Sequence, residues 1–231
     1  DFHLGIMMDK WRDQYGSQVK DWIHAISRME ELLSFAVLAR TREVSYPEVT
    51  RHEKVEVSAE NLRHPLINPS KVVPNDAAFK GGATIITGSN MSGKTTFLRT
   101  LGINLILAYA GAPVCAEKMH ADYMKIFTSM RVTDDVSYGI STFYAEILRI
   151  KSMVEYKKNE MPMLCLIDEI FKGTNSADRI VGATQVIRKL SDDHSMTLVS
   201  THDFELCELK SESGAPAANY HFEEYYEGDQ L

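Results

Sequence analysis

The chain has 231 residues, is 44% hydrophobic and carries a formal net charge of -7, which suits a globular protein and lacks the basic footprint of a stand-alone nucleic-acid binder. No apolar run approaches the length of a membrane span and no signal peptide is visible, so a reducing cytoplasm is the expected location. Three cysteines, Cys115, Cys165 and Cys207, are an odd count without close spacing, which argues against a disulfide framework or a zinc site.

The chain starts at Asp1 rather than at a methionine, as expected of a piece of something longer. Val19, Trp22, Ile26, Met29, Leu33 and Ala36 recur at steps of three and four, which predicts a helix from about Val19 to Arg40. Leu4 to Tyr15 extends it, with Gly16 a weak point between the two parts. Two readings stand: an amphipathic helix covering a core, or the end of a long lever helix that couples a nucleotide domain to other parts. The expected division is 1–42 for this helical segment and 43–231 for a second domain. Pro47 breaks the helical pattern, and Lys54-Val55-Glu56-Val57 alternates like an exposed strand. Such strands suit an antiparallel piece beside a main sheet.

Ala83 to Thr87 is a short β-branched run suited to a buried strand, and Thr96 to Ala110 suits a helix. Between them stands Gly88-Ser89-Asn90-Met91-Ser92-Gly93-Lys94-Thr95, a G-x-x-x-x-G-K-T phosphate-binding loop. Backbone N–H groups of such a turn converge on phosphate oxygens at the positive end of the helix. Lys94 can reach β- and γ-phosphates, and the Thr95 hydroxyl can hold Mg²⁺. The helix stops at Ala110-Gly111-Ala112-Pro113, with Leu98, Leu101, Leu105 and Ala108 as core positions. Val114 to Ala116 and Tyr123 to Met130 read as two further strands, and Arg131 to Gly139 as a polar loop around Asp134-Asp135. Ser141-Thr142 fits a helix start, with Phe143, Ile147, Ile150 and Val154 as the buried stripe and Glu146 and Arg149 on the surface.

Met163 to Ile167 suits a strand buried on both faces, ending in Asp168-Glu169 at the crevice where open α/β sheets bind ligands. Downstream of a phosphate loop, Asp168 reads as the carboxylate that holds Mg²⁺, and Glu169 as the base that orients the attacking water. Ile180 to Leu190 is helical. Met196 to Ser200 is a strand leading into Thr201-His202-Asp203, where His202 could contact the γ-phosphate or the water. Phe204 to Lys210 reads as a short helix, and Tyr220 to Glu227 as an edge strand closed by Gly228-Asp229.

Together these motifs resemble the ATPase domain of MutS-type mismatch-repair proteins, within the ABC ATPase class. Thr87 to Thr96 resembles the family's T-G-P-N-M-x-G-K-S-T, with Ser89 for Pro and Thr95 for Ser. Ile126-Phe127-Thr128 resembles I-F-T, Ser141-Thr142-Phe143 with Glu146 resembles S-T-F-x-x-E, and Ser200-Thr201-His202 with Phe204-Glu205-Leu206 resembles A-T-H-x-F-E-L. Asp168-Glu169-Ile170, Gly173-Thr174 and Asp178 resemble D-E-I-G-R-G-T-x-x-x-D, but Phe171-Lys172 replaces Gly-Arg. Asn219-Tyr220-His221 resembles a later N-x-H segment, so the likeness spans roughly Arg63 to the end of the chain.

The resemblance implies an α/β, ABC-type P-loop NTPase fold: a mixed sheet flanked by helices, preceded by the lever-helix segment. It implies ATP and Mg²⁺ as ligands. Gly88 to Thr96 would hold the phosphates, Thr95 and Asp168 the metal, and Glu169, His202 and Lys94 would be catalytic. Val72, Val73 and His221 would pack on the adenine. Ser141 would belong to a signature loop that meets ATP on a second subunit, so a homodimer or a MutS-like partner would form across the ATPase face. DNA would be bound through domains absent from this chain, which would move with nucleotide-dependent dimerisation. The departures leave room for a divergent relative in which ATP serves as an assembly switch with little turnover.

Overall fold

Two strands with no solvent-exposed face fix the centre of the fold. Residues Met163–Asp168 and Ser195–Ser200 are buried along almost their whole length and pair in parallel, as expected for a sheet covered on both sides. The computed structural model describes residues 2–89, 91–130, 142–159, 161–171, 175–210 and 216–224. They form two compact units, Asp1–Glu43 and Val44–Leu231.

The first unit is helix α1 (Phe2–Tyr15), a 3₁₀ turn at Gly16–Gln18 and helix α2 (Val19–Thr41). The break falls at the expected glycine. Trp11, Tyr15 and Trp22 gather around it with ring centroids 6.0–6.3 Å apart. Neither helix buries a residue, and the apolar stripe of α2 is open, with Met29 72% exposed.

The second unit contains strands β1 (Glu48–Thr50), β2 (Glu56–Leu62), β3 (Asn75–Lys80), β4 (Gly82–Gly88), β5 (Lys118–Asp122), β6 (Lys125–Ser129), β7 (Met163–Asp168), β8 (Ser195–Ser200) and β9 (Ala218–Phe222). Its helices are α3 (Lys94–Tyr109), α4 (Thr142–Lys157) and α5 (Ser176–Leu190). Five strands form a parallel sheet in the order β6-β7-β8-β4-β9. The other four form a mixed sheet in the order β1-β5-β2-β3, with β2 antiparallel to both neighbours and β1 parallel to β5. The small sheet is the antiparallel piece expected beside the main sheet, and the sheet that ends at Gly88 is wholly parallel.

Alternation along the central strands divides the core. Leu164, Leu166, Met196 and Leu198 face α3 and the small sheet, joining Leu98, Leu101 and Leu105. Met163, Cys165, Ile167 and Val199 face the other way, onto Ile150, Met153, Ala183 and Ile187 of α4 and α5. Burial pushes the Cys165 thiol up to about 12, in keeping with a small core residue.

Several expectations need correction. Of the strand read at 114–116, only Val114 pairs, as an isolated bridge to Ser45. The single strand read from Tyr123 to Met130 is β6 alone, and β5 precedes it in the other sheet. The helix read at 204–210 is a five-residue 3₁₀ turn, Phe204–Glu208. On α4, Phe143 is 38% exposed, and Met153, not Phe143, completes the buried stripe. The polar loop around Asp134-Asp135 and the Gly228-Asp229 turn lie outside the described residues. Among the described residues no helix is long and apolar enough to cross a membrane.

Candidate functional site

Between the end of β4 and the start of α3, two glycines take backbone angles that other residues avoid. Gly88 has φ 142°, and a Cβ there would lie 2.4 Å from the Phe222 carbonyl oxygen and 2.7 Å from Ser92 Oγ. Gly93, at φ 94°, is the left-handed residue that opens α3. The spacing of the two glycines is thus required by the turn itself. Inside it, Ser92 Oγ donates to the Ser89 carbonyl at 3.0 Å, Met91 is exposed, and Thr96 lies exposed in the first turn of α3. Asn90 lies outside the described residues.

Lys94 folds back over this turn. Its Nζ donates to the Gly88 carbonyl at 2.8 Å and to the Ser89 carbonyl, and the residue is only 5% exposed. Burial lowers its pKa from the ordinary lysine value, while the carboxylates of Glu169, Asp168 and Glu224 pull the other way.

The acidic strand end meets the loop directly. Thr95 Oγ1 lies 2.9 Å from both Asp168 carboxylate oxygens, and Ser200 Oγ donates to one of them. The β7–β8 register sets Asp168 opposite Ser200. Glu169 follows at φ 56°, its N–H donating to the Ser200 carbonyl at 2.9 Å, and its Oε1 lies 3.2 Å from His202 Nε2. The turn that carries His202 is tied to α5 by a two-pronged contact, Arg179 donating to both Asp203 oxygens at 2.8 and 2.7 Å.

The structure therefore brings Lys94, Thr95, Asp168, Glu169 and His202 to one end of the parallel sheet. His221 sits on β9 beside the loop, its Nδ1 2.9 Å from Thr87 Oγ1. Val72 is half-buried and Val73 exposed, in the segment just ahead of β3. β3 is held to β9 by the Tyr220 hydroxyl donating to the Ala78 carbonyl at 2.8 Å and by Phe79 against Tyr220 at 5.2 Å between centroids. Ser141, Lys172, Gly173 and Thr174 lie outside the described residues. A cavity of about 910 Å³ opens at the opposite ends of the strands, near Gly82 and Lys157, and has no part in this arrangement.

Three contacts were not read from the sequence. Ser89 Oγ donates to Glu224 Oε1, across a separation no local pattern signals. Ser200 grips Asp168, a role that its place in the Ser-Thr-His motif does not signal. Glu146 was expected on the surface; it is half-buried, and its Oε1 accepts the Phe171 N–H at 2.7 Å. Burial pushes the Glu146 carboxyl above its ordinary range, against the pull of that N–H and of Arg149. Phe171 itself adopts φ 57°, the conformation glycine takes most easily, and it stands where the resembling motif has Gly. Its ring is buried in the second core cluster and close-packed over Gly182, which offsets the backbone cost.

Comparison with known proteins gives concordant results. Residues 84–231 match the family described as MutS domain V. The DNA mismatch repair protein MutS of Staphylococcus haemolyticus is 32% identical over 220 residues, covering 92% of this chain and 24% of that protein. The protein of the same name from Halalkalibacterium halodurans is 32% identical over 216 residues, covering 86% of this chain and 24% of its own length. That of Staphylococcus aureus is 30% identical over 217 residues, 90% of this chain and 24% of the protein. The chain thus spans 24% of the length of these curated relatives.

Proposed function

The chain belongs to the MutS domain V family of DNA mismatch-repair proteins, and on that premise we propose that it binds and hydrolyses ATP with Mg²⁺, in a P-loop NTPase fold of ABC type. The observation that carries this reading is the meeting of Lys94, the Thr95–Asp168 pair and the Glu169–His202 pair at one end of the parallel sheet. In this reading the loop Gly88 to Thr96 cradles the phosphates with its backbone N–H groups. Lys94 exchanges the carbonyls of Gly88 and Ser89 for β- and γ-phosphate oxygens.

Thr95 and Asp168 form an all-oxygen donor pair already in contact, and such a pair fits a hard cation. Bound there, Mg²⁺ supplies the positive charge that neutralises the phosphates during transfer. Glu169 orients and deprotonates the attacking water. His202, held beside it, is placed to touch the γ-phosphate. The rest is positioning, with Val72, Val73 and His221 against the adenine.

The resemblance extends the proposal to assembly. Ser141 completes the site of a second subunit, either a copy of this chain or a MutS-like partner, and closure on ATP moves DNA-binding parts encoded outside this chain. Glu169→Gln tests the chemistry. It is expected to lower hydrolysis by roughly 10²–10⁴-fold with ATP binding kept; normal hydrolysis by the variant would remove Glu169 from the role. Sedimentation velocity of the same variant, with and without Mg-ATP, tests assembly. A nucleotide-dependent dimer supports the composite site, and a monomer with ATP bound rejects it. Wild-type protein that dimerises on ATP with negligible turnover would favour the assembly switch.

A further inference from the structure

A second polar cluster lies in the other sheet. Glu48, Thr50 and His52 are spaced by two along β1 and just past its end, so they share a face. The parallel β1–β5 register sets Glu48 opposite His120 and Thr50 opposite Asp122. Antiparallel β2 adds Glu56 from the other side. One face of three strands therefore carries two imidazoles and three carboxylates.

The side chains converge. One ligand atom each from His52, His120 and Asp122 lies within 4.8 Å of the other two. His52 Nδ1 is 2.8 Å from Asp122 Oδ1. The Thr50 hydroxyl marks the point of convergence, 3.3 Å from His52 Nδ1 and from His120 Nε2 and 2.8 Å from Asp122 Oδ1. Glu56 Oε1 stands 3.6 Å from His120 Nε2.

The surroundings of the cluster are held by hydrogen bonds and nearby charges. Asp122 is 1% exposed, and its Oδ2 accepts the Glu56 N–H at 2.9 Å. On the far side of the His120 ring, Glu48 Oε2 lies 3.6 Å from Nδ1. A carboxylate there is placed to take up a hydrogen bond from Nδ1 when Nε2 binds an ion.

We propose that His52, His120 and Asp122, with Glu56 as fourth ligand, form a structural site for a zinc-class divalent cation, separate from the nucleotide site. Two imidazoles and two carboxylates are a borderline donor set that suits Zn²⁺ in four-coordinate geometry, with bonds of about 2.0–2.2 Å. His52 and Glu56 are the more accessible ligands, with side chains 55% and 48% exposed, so their rotation closes the set on the ion without moving the buried carboxylate. Binding staples the segment after β1 to β5. The sparse cysteines do not bear on this site, which uses none.

The test is titration of the metal-free chain with ZnCl₂ by calorimetry, and with CoCl₂ by visible absorption, without nucleotide. One Zn²⁺ per chain and the intense visible bands of four-coordinate Co²⁺ are expected, together with a raised Tm. The oxygen-only Thr95–Asp168 pair cannot give that spectrum. Both signals should vanish in His120→Ala and in His52→Ala, with far-UV circular dichroism and a urea midpoint confirming that each variant folds. Glu48→Gln should weaken binding by roughly 10–100-fold. No binding, a six-coordinate Co²⁺ spectrum, or unchanged affinity in His52→Ala would overturn the site.

Discussion

Asp168 and Asp122 each end a strand, and each accepts a threonine hydroxyl, yet the two sheets treat them differently. Asp168 keeps a partly exposed carboxylate whose neighbours are hydroxyls, those of Thr95 and Ser200, and the ammonium of Lys94 stands nearby. Asp122 is sealed from water and surrounded by nitrogen, from His52, His120 and the backbone of Glu56. An oxygen-rich, solvent-reachable carboxylate can exchange its partners when a ligand arrives. A buried carboxylate held by several donors can give one up only to a ligand that replaces it, such as a cation, because an uncompensated loss leaves a desolvated group behind. In the proposed reading the parallel sheet carries an exchangeable site and the mixed sheet a fixed one.

The sharpest way to break that contrast is to neutralise each acid in turn. Asp168→Asn is expected to lower ATP hydrolysis by roughly 10²–10³-fold, at a stability cost of about 1 kcal/mol or less. Asp122→Asn replaces an acceptor by a donor facing the Glu56 N–H or the Thr50 hydroxyl. It should cost ~3 kcal/mol of folding stability while leaving hydrolysis per folded molecule unchanged. Steady-state ATPase rates and urea titrations of both variants decide the matter. Equal losses in both assays would show that the two acids do one job.

A smaller effect sharpens the contrast within the parallel sheet. Glu146 is half-buried beneath the turn after β7, and burial raises its pKa from the ordinary value. The folded state therefore holds this proton to higher pH than the unfolded chain does. Its contribution is fully present while the group is protonated, and is lost as pH rises from the ordinary glutamate pKa through the raised one. Glu146→Gln should flatten that part of the stability–pH profile, measured by urea midpoints at a series of pH values. An unchanged slope would mean that another group titrates there.

What the sequence allowed to be read follows the same division. β7, β8 and the core positions of α3 were legible because buried parallel strands and amphipathic helices have local periodic patterns. The Gly88–Gly93 turn was legible because it demands two glycines at fixed spacing. β5 was missed because only Met119 and Ala121 are apolar among Lys118, His120 and Asp122, so no strand pattern stands out. The His52–His120–Asp122 cluster was missed for the same reason: its members come together only through strand register. Glu146 was misplaced because its partner is a backbone N–H in a loop 25 residues on. Phe171 read as a departure from the motif, and only its left-handed φ shows that glycine's conformation is kept without glycine.

The smallest expected effect concerns Glu224, which accepts the Ser89 hydroxyl at the mouth of the phosphate loop and acts electrostatically on Lys94. A polyphosphate arriving at that loop meets this carboxylate as a like charge. The repulsion between exposed unit charges about 4 Å apart is ~1 kcal/mol in water, and salt screens it further. Glu224→Gln keeps an acceptor for Ser89 and removes the charge, so ATP affinity should rise by about fivefold at most, with a larger gain at low salt. Fluorescent-nucleotide titrations at two ionic strengths measure this. If affinity falls instead, the Ser89–Glu224 contact shapes the loop more than its charge repels the ligand, and the nucleotide site would share the fixed, network-held character of Asp122.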